Sequence, residues 1–201
     1  MKKSLLFFVF FICTFVFSQI KVISGKFDFL KDQNEINVVV NYDHVKFQVE
    51  NYTEQQYIDI RKNVILRSSI KTKADWDKWL LEWNEYKNNG YLDVFIKSIN
   101  KSKKLKFGRN INTQYTLIVE PVWIYAGWNA GMWSQEAKLS TILKFVETEN
   151  PQNVLLEYET DKIHGVSERV KDSFMEYGRI ASAFDVTGKY FYSHLIRKIK
   201  K

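Results

Sequence analysis

The sequence predicts an α+β fold in which a mostly antiparallel sheet with a three-strand meander packs against helices on one face. Three observations carry that expectation. Apolar residues alternate with period two at Ile36, Val38, Val40 and Tyr42, and again from Tyr115 to Thr160, which is strand patterning. Between these regions the period lengthens to that of a helix, with Trp76, Trp79, Leu80 and Trp83 on one stripe. A further apolar helical pattern closes the chain. Strand, helices, meander, helix is the order expected when helices segregate to one side of an antiparallel sheet.

The first segment stands apart from the fold. Met1-Lys2-Lys3 precedes an apolar run from Leu5 to Phe17 broken only by Cys13 and Thr14, and Val16-Phe17-Ser18 offers a cut after Ser18. That is the layout of a secretory signal peptide. A membrane span needs roughly 20 apolar residues, and this run falls well short. Cys13 is a poor lipidation site, because bulky Ile12 precedes it and apolar residues follow it. The expectation is a signal peptide over 1–18 and one domain over 19–201, exported to the periplasm or beyond in a Gram-negative bacterium, with no transmembrane span. Cleavage also removes the one cysteine, which excludes a disulfide framework, a cysteine nucleophile and thiolate zinc ligation.

Within the domain, Ile36 to Tyr42 reads as a strand, and Val45, Phe47 and Val49 as a partner strand or an extension of it. Thr53-Glu54-Gln55-Gln56 has capping-box form, with Tyr57, Ile60 (or Ile58) and Val64 following at helical spacing. Thr72-Lys73-Ala74-Asp75 opens the tryptophan-striped helix, and Asn88-Asn89-Gly90 reads as its C-cap. Leu92, Phe95, Ile96 and Ile99 make a second, shorter stripe. From Tyr115 a strand runs through Ile124, and Pro121, which has no N–H to donate, marks an edge or a bulge within it. Leu139 to Thr148 is the next strand, Asn150-Pro151 a turn, and Val154, Leu156, Tyr158 and Thr160 the third. The closing helix starts at Ser167 or Asp172 and gathers Val170, Phe174, Tyr177, Ile180, Ala181, Phe184, Phe191, Leu195 and Ile199 on one face. Gly178 and Gly188 each weaken it by about 1 kcal/mol relative to alanine.

The chain is 45% hydrophobic and 16% aromatic, enough for a real core in one domain. Its formal charge is +7, or +5 once Lys2 and Lys3 are gone. The basic runs Lys101 to Lys106 and Arg197 to Lys201 sit where helices end, and lysines there complement the helix dipole. No nucleic-acid motif accompanies them, so no nucleic-acid partner is expected.

The candidate ligand-binding residues are Trp123, Tyr125, Trp128 and Trp133, in the segment Val122 to Trp133 that also holds Gly127 and Gly131. Exposed on a loop, such rings stack on sugars or enter a membrane interface. Folded back on the sheet, they are structural, with the glycines shaping a wide hairpin loop, and this is the default expectation. The stripe of Trp76, Trp79 and Trp83 is expected to be core. His44, His164 and His194 have no metal-ligand spacing, and Asp161, His164 and Ser167 lie too close in sequence to converge as a triad. Glu120, Glu136, Glu147, Glu157 and Glu159 lie on or near strands, but no groove follows from that. Lys106-Phe107-Gly108-Arg109-Asn110 is a basic turn and not a phosphate-cradling loop. No catalytic, metal or cofactor motif is identified, so the expectation is a protein without cofactor and without catalysis.

The order of several short motifs resembles small secreted proteins of unknown function common in Bacteroidota. They are Phe29 to Val38 followed by Tyr42, Tyr57-Ile58, Tyr115 to Val119, Gly127 to Met132, Phe145 to Pro151, Val154 to Leu156, and Tyr177 to Ile180. The resemblance implies an exported envelope protein and supplies no catalytic residues. Three readings follow. The first is a non-catalytic envelope protein that binds another protein or an envelope component. The second is a glycan-binding module using the aromatic loop, and the third is a hydrolase. No oligomeric state follows from the sequence.

Export of the full chain is expected to yield a product whose N-terminus is Gln19 and which reacts with no thiol reagent. N-terminal sequencing or intact mass checks this, and a product that begins at Cys13 or keeps Met1 overturns it.

Overall fold

A computed structural model describes residues 19–101, 104–166 and 174–199. The leader assigned to 1–18, the expected helix starts Ser167 and Asp172, Val170 on its expected apolar face, and parts of both basic runs (102–103 and 200–201) lie outside the described residues. In chain order the elements are β1 (Ile20–Gly25), β2 (Glu35–Val40), β3 (Lys46–Phe47), α1 (Glu54–Leu66), α2 (Lys73–Glu85), α3 (Tyr91–Ile99), β4 (Lys106–Gly108), β5 (Tyr115–Tyr125), β6 (Trp128–Ala130), β7 (Trp133–Gln135), β8 (Lys138–Glu147), β9 (Asn150–His164) and α4 (Glu176–Ile199).

The fold is α+β, as the alternation of periods implies. The main sheet has strand order β1-β9-β8-β5-β2-β4, with β3 also beside β5. β5, β8 and β9 form the antiparallel meander, and β1 adds antiparallel to β9. β2 runs parallel to both β5 and β4, so the sheet is mixed on that side. Two edge strands go unread in the sequence. β1 buries only Ile20, and β4, expected as a basic turn, buries only Phe107. Strands this short carry too little alternation to register.

β3 is an extension of β2. β2 pairs Asn37 to Val40 with Thr116 to Val119, the chain leaves at Asn41, and β3 rejoins the same edge of β5 at Trp123 and Ile124. Pro121 sits in the gap between these two pairings. No strand on that side asks it for an N–H, which is how proline fits inside a central strand. Across the other edge the register with β8 shifts between Pro121 and Trp123, a bulge that accommodates Val122. The bulge reverses the alternation. Leu117, Val119 and Pro121 are buried before it and Ile124 and Ala126 after it, which leaves Trp123 and Tyr125 on the outer face.

The helices cover the inner face, where Leu117, Val119, Leu139, Leu143, Phe145, Leu156 and Tyr158 are all buried. On the outer face Lys144 pairs with Glu120 at 2.7 Å and Lys21 with Glu159 at 2.8 Å. Both capping boxes form. Thr53 Oγ1 accepts from Gln56 N at 3.2 Å while Gln56 Oε1 accepts from Thr53 N at 2.8 Å. Thr72 and Asp75 reciprocate at 3.4 and 2.7 Å. Trp76, Trp79 and Trp83 are core, stacked in sequence with ring centroids 5.4 and 5.2 Å apart. Such pairs contribute about 0.5–1.5 kcal/mol each beyond their burial.

Asn88-Asn89-Gly90 does not cap α2. The helix passes through a π-helical turn over Tyr86–Gly90 and continues as α3, with Gly90 in the ordinary right-handed conformation. Glycine is needed there for space, since a Cβ would lie 2.8 Å from Cδ1 of Tyr86. The extra residue of the π turn also corrects the helical phase. In an unbroken α-helix the stripe of Trp76, Trp79 and Trp83 would continue through Gly90 and Val94; with one residue added it continues through Tyr91, Phe95 and Ser98-Ile99, which are the buried positions.

α4 begins at Glu176, so Phe174, expected on its apolar face, precedes it and is exposed. The helix runs unbroken through Gly178 and Gly188. It packs on α3, with Tyr91 stacked on Phe184 at 5.0 Å and 2°. Ser182 Oγ ties it to the end of β9, accepting from Val166 N at 2.8 Å and donating to Val166 O at 2.7 Å. Gly188 lets the two helices close, because a Cβ there would lie 2.9 Å from both Phe95 O and Ser98 Cβ.

Gly188→Ala is therefore expected to destabilise the fold by about 1–3 kcal/mol through overpacking. An exposed helix would gain about 1 kcal/mol from the same change. The sign of the shift in urea midpoint decides between them.

Candidate functional site

The exit of β5 builds the site. After Tyr125 and Ala126 the chain turns at Gly127, with φ +65°, where a Cβ would lie 2.2 Å from Gln135 O. Only glycine permits so close a crossing of the two strand ends. β6 and β7 then form a separate two-stranded hairpin joined by Gly131-Met132, with Gly131 at φ +67°. Glycine at the first central position of a two-residue loop is the type II′ pattern. The side chain of Asn129 closes the turn by accepting from Gly131 N at 3.2 Å.

The four candidate residues divide into two pairs. Trp123 and Tyr125 fold back onto the outer face of the sheet, half-buried and stacked on each other at 6.3 Å. Trp123 Nε1 donates to Gln48 O at 2.8 Å, and the ammonium groups of Lys162 and Lys138 lie over the rings of Trp123 and Tyr125 at 5.8 and 5.9 Å. Their faces are thus occupied. Trp128 and Trp133 do not fold back: they are 45% and 72% exposed. The first pair folds back on the sheet, on its outer face and outside the core, and the second pair does not fold back.

Gln135 links the two groups. Its Oε1 accepts from Tyr125 Oη at 2.7 Å and from Trp128 Nε1 at 2.9 Å. Trp128 is therefore held in one orientation by its polar edge, while its ring faces an open cleft of about 660 Å³. Tyr52, Tyr57, Tyr125 and Phe174 add aromatic walls, and Glu50, Arg61, Lys71 and Asn129 supply polar groups. The turn from Gln48 to Asn51 forms one lip. It is fixed by Gln48 N donating to Ile124 O at 2.8 Å and by paired bonds between Phe47 and Tyr52.

Below the cleft lies a buried polar junction. Glu176, at the first turn of α4, accepts from Trp79 Nε1 at 2.9 Å and pairs with Arg61 of α1. Arg179, also buried, donates from Nε to Ala126 O at 3.0 Å, from Nη1 to Phe174 O at 2.7 Å and from Nη2 to Gly127 O at 3.3 Å. Burial lowers its proton affinity and the nearby Glu176 raises it. Tyr57 is pushed well above the ordinary phenol range, mainly by burial, so its hydroxyl stays protonated. None of Arg61, Glu176 and Arg179 is a candidate in the sequence. A signal for one exists: Arg179 interrupts an apolar run from Tyr177 to Phe184.

The other candidates do not assemble. Asp161 accepts from Ser140 Oγ at 3.0 Å, His164 Nδ1 lies 3.9 Å from Glu136, and Ser167 is outside the described residues. Glu120 and Glu159 are paired to lysines on the outer face. Among the described residues no group of three or more His, Cys, Asp or Glu side chains could hold a metal ion. No helix among them is long and apolar enough to cross a membrane.

No family model matches the chain, and no curated protein matches it. Solved structures of a PelC dodecamer from Paraburkholderia phytofirmans align at low similarity. One has 9% identity over 86% of this chain and 96% of that chain, with a TM-score of 0.41. A point variant of the same protein gives 8% identity over 85% and 96%, with a TM-score of 0.37. Likeness at this level carries no inference about the present chain.

Glu176→Gln is expected to cost about 1–3 kcal/mol in urea unfolding, less than a fully buried pair, because Arg61 is a quarter exposed and can rehydrate. An unchanged midpoint would mean the junction contributes no stability.

Proposed function

We propose that the protein is an exported, non-catalytic binding protein of the bacterial envelope, and that the cleft beside Trp128 receives a glycan. The observation that carries this reading is the way Trp128 is presented. Gln135 holds its indole N–H, its ring is open to the cleft, and amide, carboxylate and guanidinium groups stand nearby. Sugars offer an apolar C–H face for an aromatic ring and hydroxyls for planar polar side chains, and this cleft offers both. Its volume lies in the range of small-molecule sites, about 300–1,000 Å³. Of the two partner classes open from the sequence, protein and envelope component, a concave aromatic and polar cleft favours the second.

Absence of catalysis is supported by the carboxylates. Glycoside cleavage needs two acids flanking the bond. Here Glu176 is engaged by Arg61 and Trp79, and Glu50 stands on an exposed turn.

Tryptophan fluorescence titrated with cell-wall and plant oligosaccharides tests the reading. At least one class is expected to perturb emission saturably, and Trp128→Ala to weaken binding roughly tenfold or more with the unfolding temperature retained. Silence towards every oligosaccharide overturns it. Release of reducing ends during incubation would make the protein a hydrolase instead.

A further inference from the structure

The tip of the β6–β7 hairpin is left unexplained by the cleft. Met132 is 96% exposed, and neither Met132 nor Trp133 lines the cleft. The pairs Trp128 with Gln135 and Ala130 with Trp133 put Trp128, Ala130 and Trp133 on one face of the hairpin. Nothing lies within 4 Å of where a Cβ on Gly131 would be, so that side of the turn is open. Ala126 to Gln135 contains no charged residue. Beside the hairpin, Phe174 is 76% exposed and shares with Ser134 and Gln135 a depression of about 230 Å³.

We infer that this tip is a membrane-surface anchor, inserting Met132 and Trp133 into the boundary between headgroups and acyl chains of an anionic bilayer. Shape favours a bilayer over a protein. The tip is convex, and a few side chains of this size offer on the order of a few hundred Å², whereas a stable protein interface takes about 800 Å² from each partner. A bilayer has no such threshold, and tryptophan concentrates at its interface. Charge favours an anionic surface. Lys138 lies over Tyr125, which shares Gln135 with Trp128 at the root of the hairpin, and Lys162 lies over Trp123, the ring stacked on Tyr125. Two carboxylates accompany them: Glu136, with the ring of His164 3.9 Å away, and Asp161, held by Ser140 Oγ beside Lys162. The chain carries +7, or +5 once Lys2 and Lys3 are gone.

Flotation tests this with the protein as the host exports it, on vesicles of phosphatidylglycerol and phosphatidylethanolamine and on phosphatidylcholine alone. Met132→Ser/Trp133→Ser is the informative variant. Both positions are exposed, so circular dichroism and unfolding temperature are expected to match wild type, and a shared N-terminus cancels any contribution from the leader. Wild type is expected to float with the anionic vesicles with a blue shift in tryptophan emission, and the variant to partition at least roughly tenfold less. Equal flotation of the variant, or no flotation of wild type, overturns the inference. So does a wild-type dimer that the variant lacks when neither binds vesicles, since the tip would then meet protein. The oligosaccharide response reports on the cleft alone, so either reading can fail without the other.

Discussion

A guanidinium taken out of water must find acceptors, and the candidate site is organised around one that finds three backbone carbonyls. Arg179 spends its donors on backbone carbonyls from two segments, Ala126 and Gly127 at the hairpin root and Phe174 before α4. The carbonyls of Ala126 and Gly127 lie where the ladder of β5 ends, so the arginine supplies bonds the sheet no longer can. Three residues earlier, on the same turn of helix, Glu176 draws in Arg61 from α1 and Trp79 from α2. One helical turn therefore fixes the hairpin, α1 on the cleft wall, α2 behind it and the approach to α4. A mismatch at any of these partners would leave a charge or a carbonyl buried without compensation, which is what makes the arrangement specific.

The rigid root explains how an isolated hairpin can hold its shape. Two strands alone are marginal in water. Here the ends are clamped by Arg179 beneath and by the crossing at Gly127, where backbone approaches too closely for any side chain. Orientation of Trp128 then needs only Gln135, which is itself fixed by Tyr125. Tyr125 faces outward because of the bulge after Pro121. The direction of the exposed tryptophan is thus traceable, contact by contact, to a proline lodged in a gap between two partner strands.

Much of the fold was legible because its signals are local. Two capping boxes, the tryptophan stripe, the meander and the anomaly at Pro121 all declare themselves within a dozen residues. β1 and β4 were not legible, having one buried residue each. The π turn was misleading, since Asn88-Asn89-Gly90 has the composition of a helix stop while Gly90 serves a steric need of Tyr86. The site was half legible. Aromatic residues between glycines marked the hairpin, but which rings turn inward depends on a one-residue bulge that composition does not reveal. The charged junction was invisible because its members are remote: Trp79 and Glu176 are 97 positions apart.

The π turn has a consequence for how this chain can vary. It is an insertion of one residue within a helix whose two halves share a single core. Closing the turn into ideal α-helix with all of its residues kept would rotate everything beyond it by about 100°. Tyr91, Phe95 and Ile99 would swing out of the core and Val94 and Lys97 towards it. Removing one residue from 86–90 does the opposite: it restores the α-helix and leaves Tyr91 and Phe95 in phase with the tryptophan stripe, so this stretch can lose one residue while the core keeps its register.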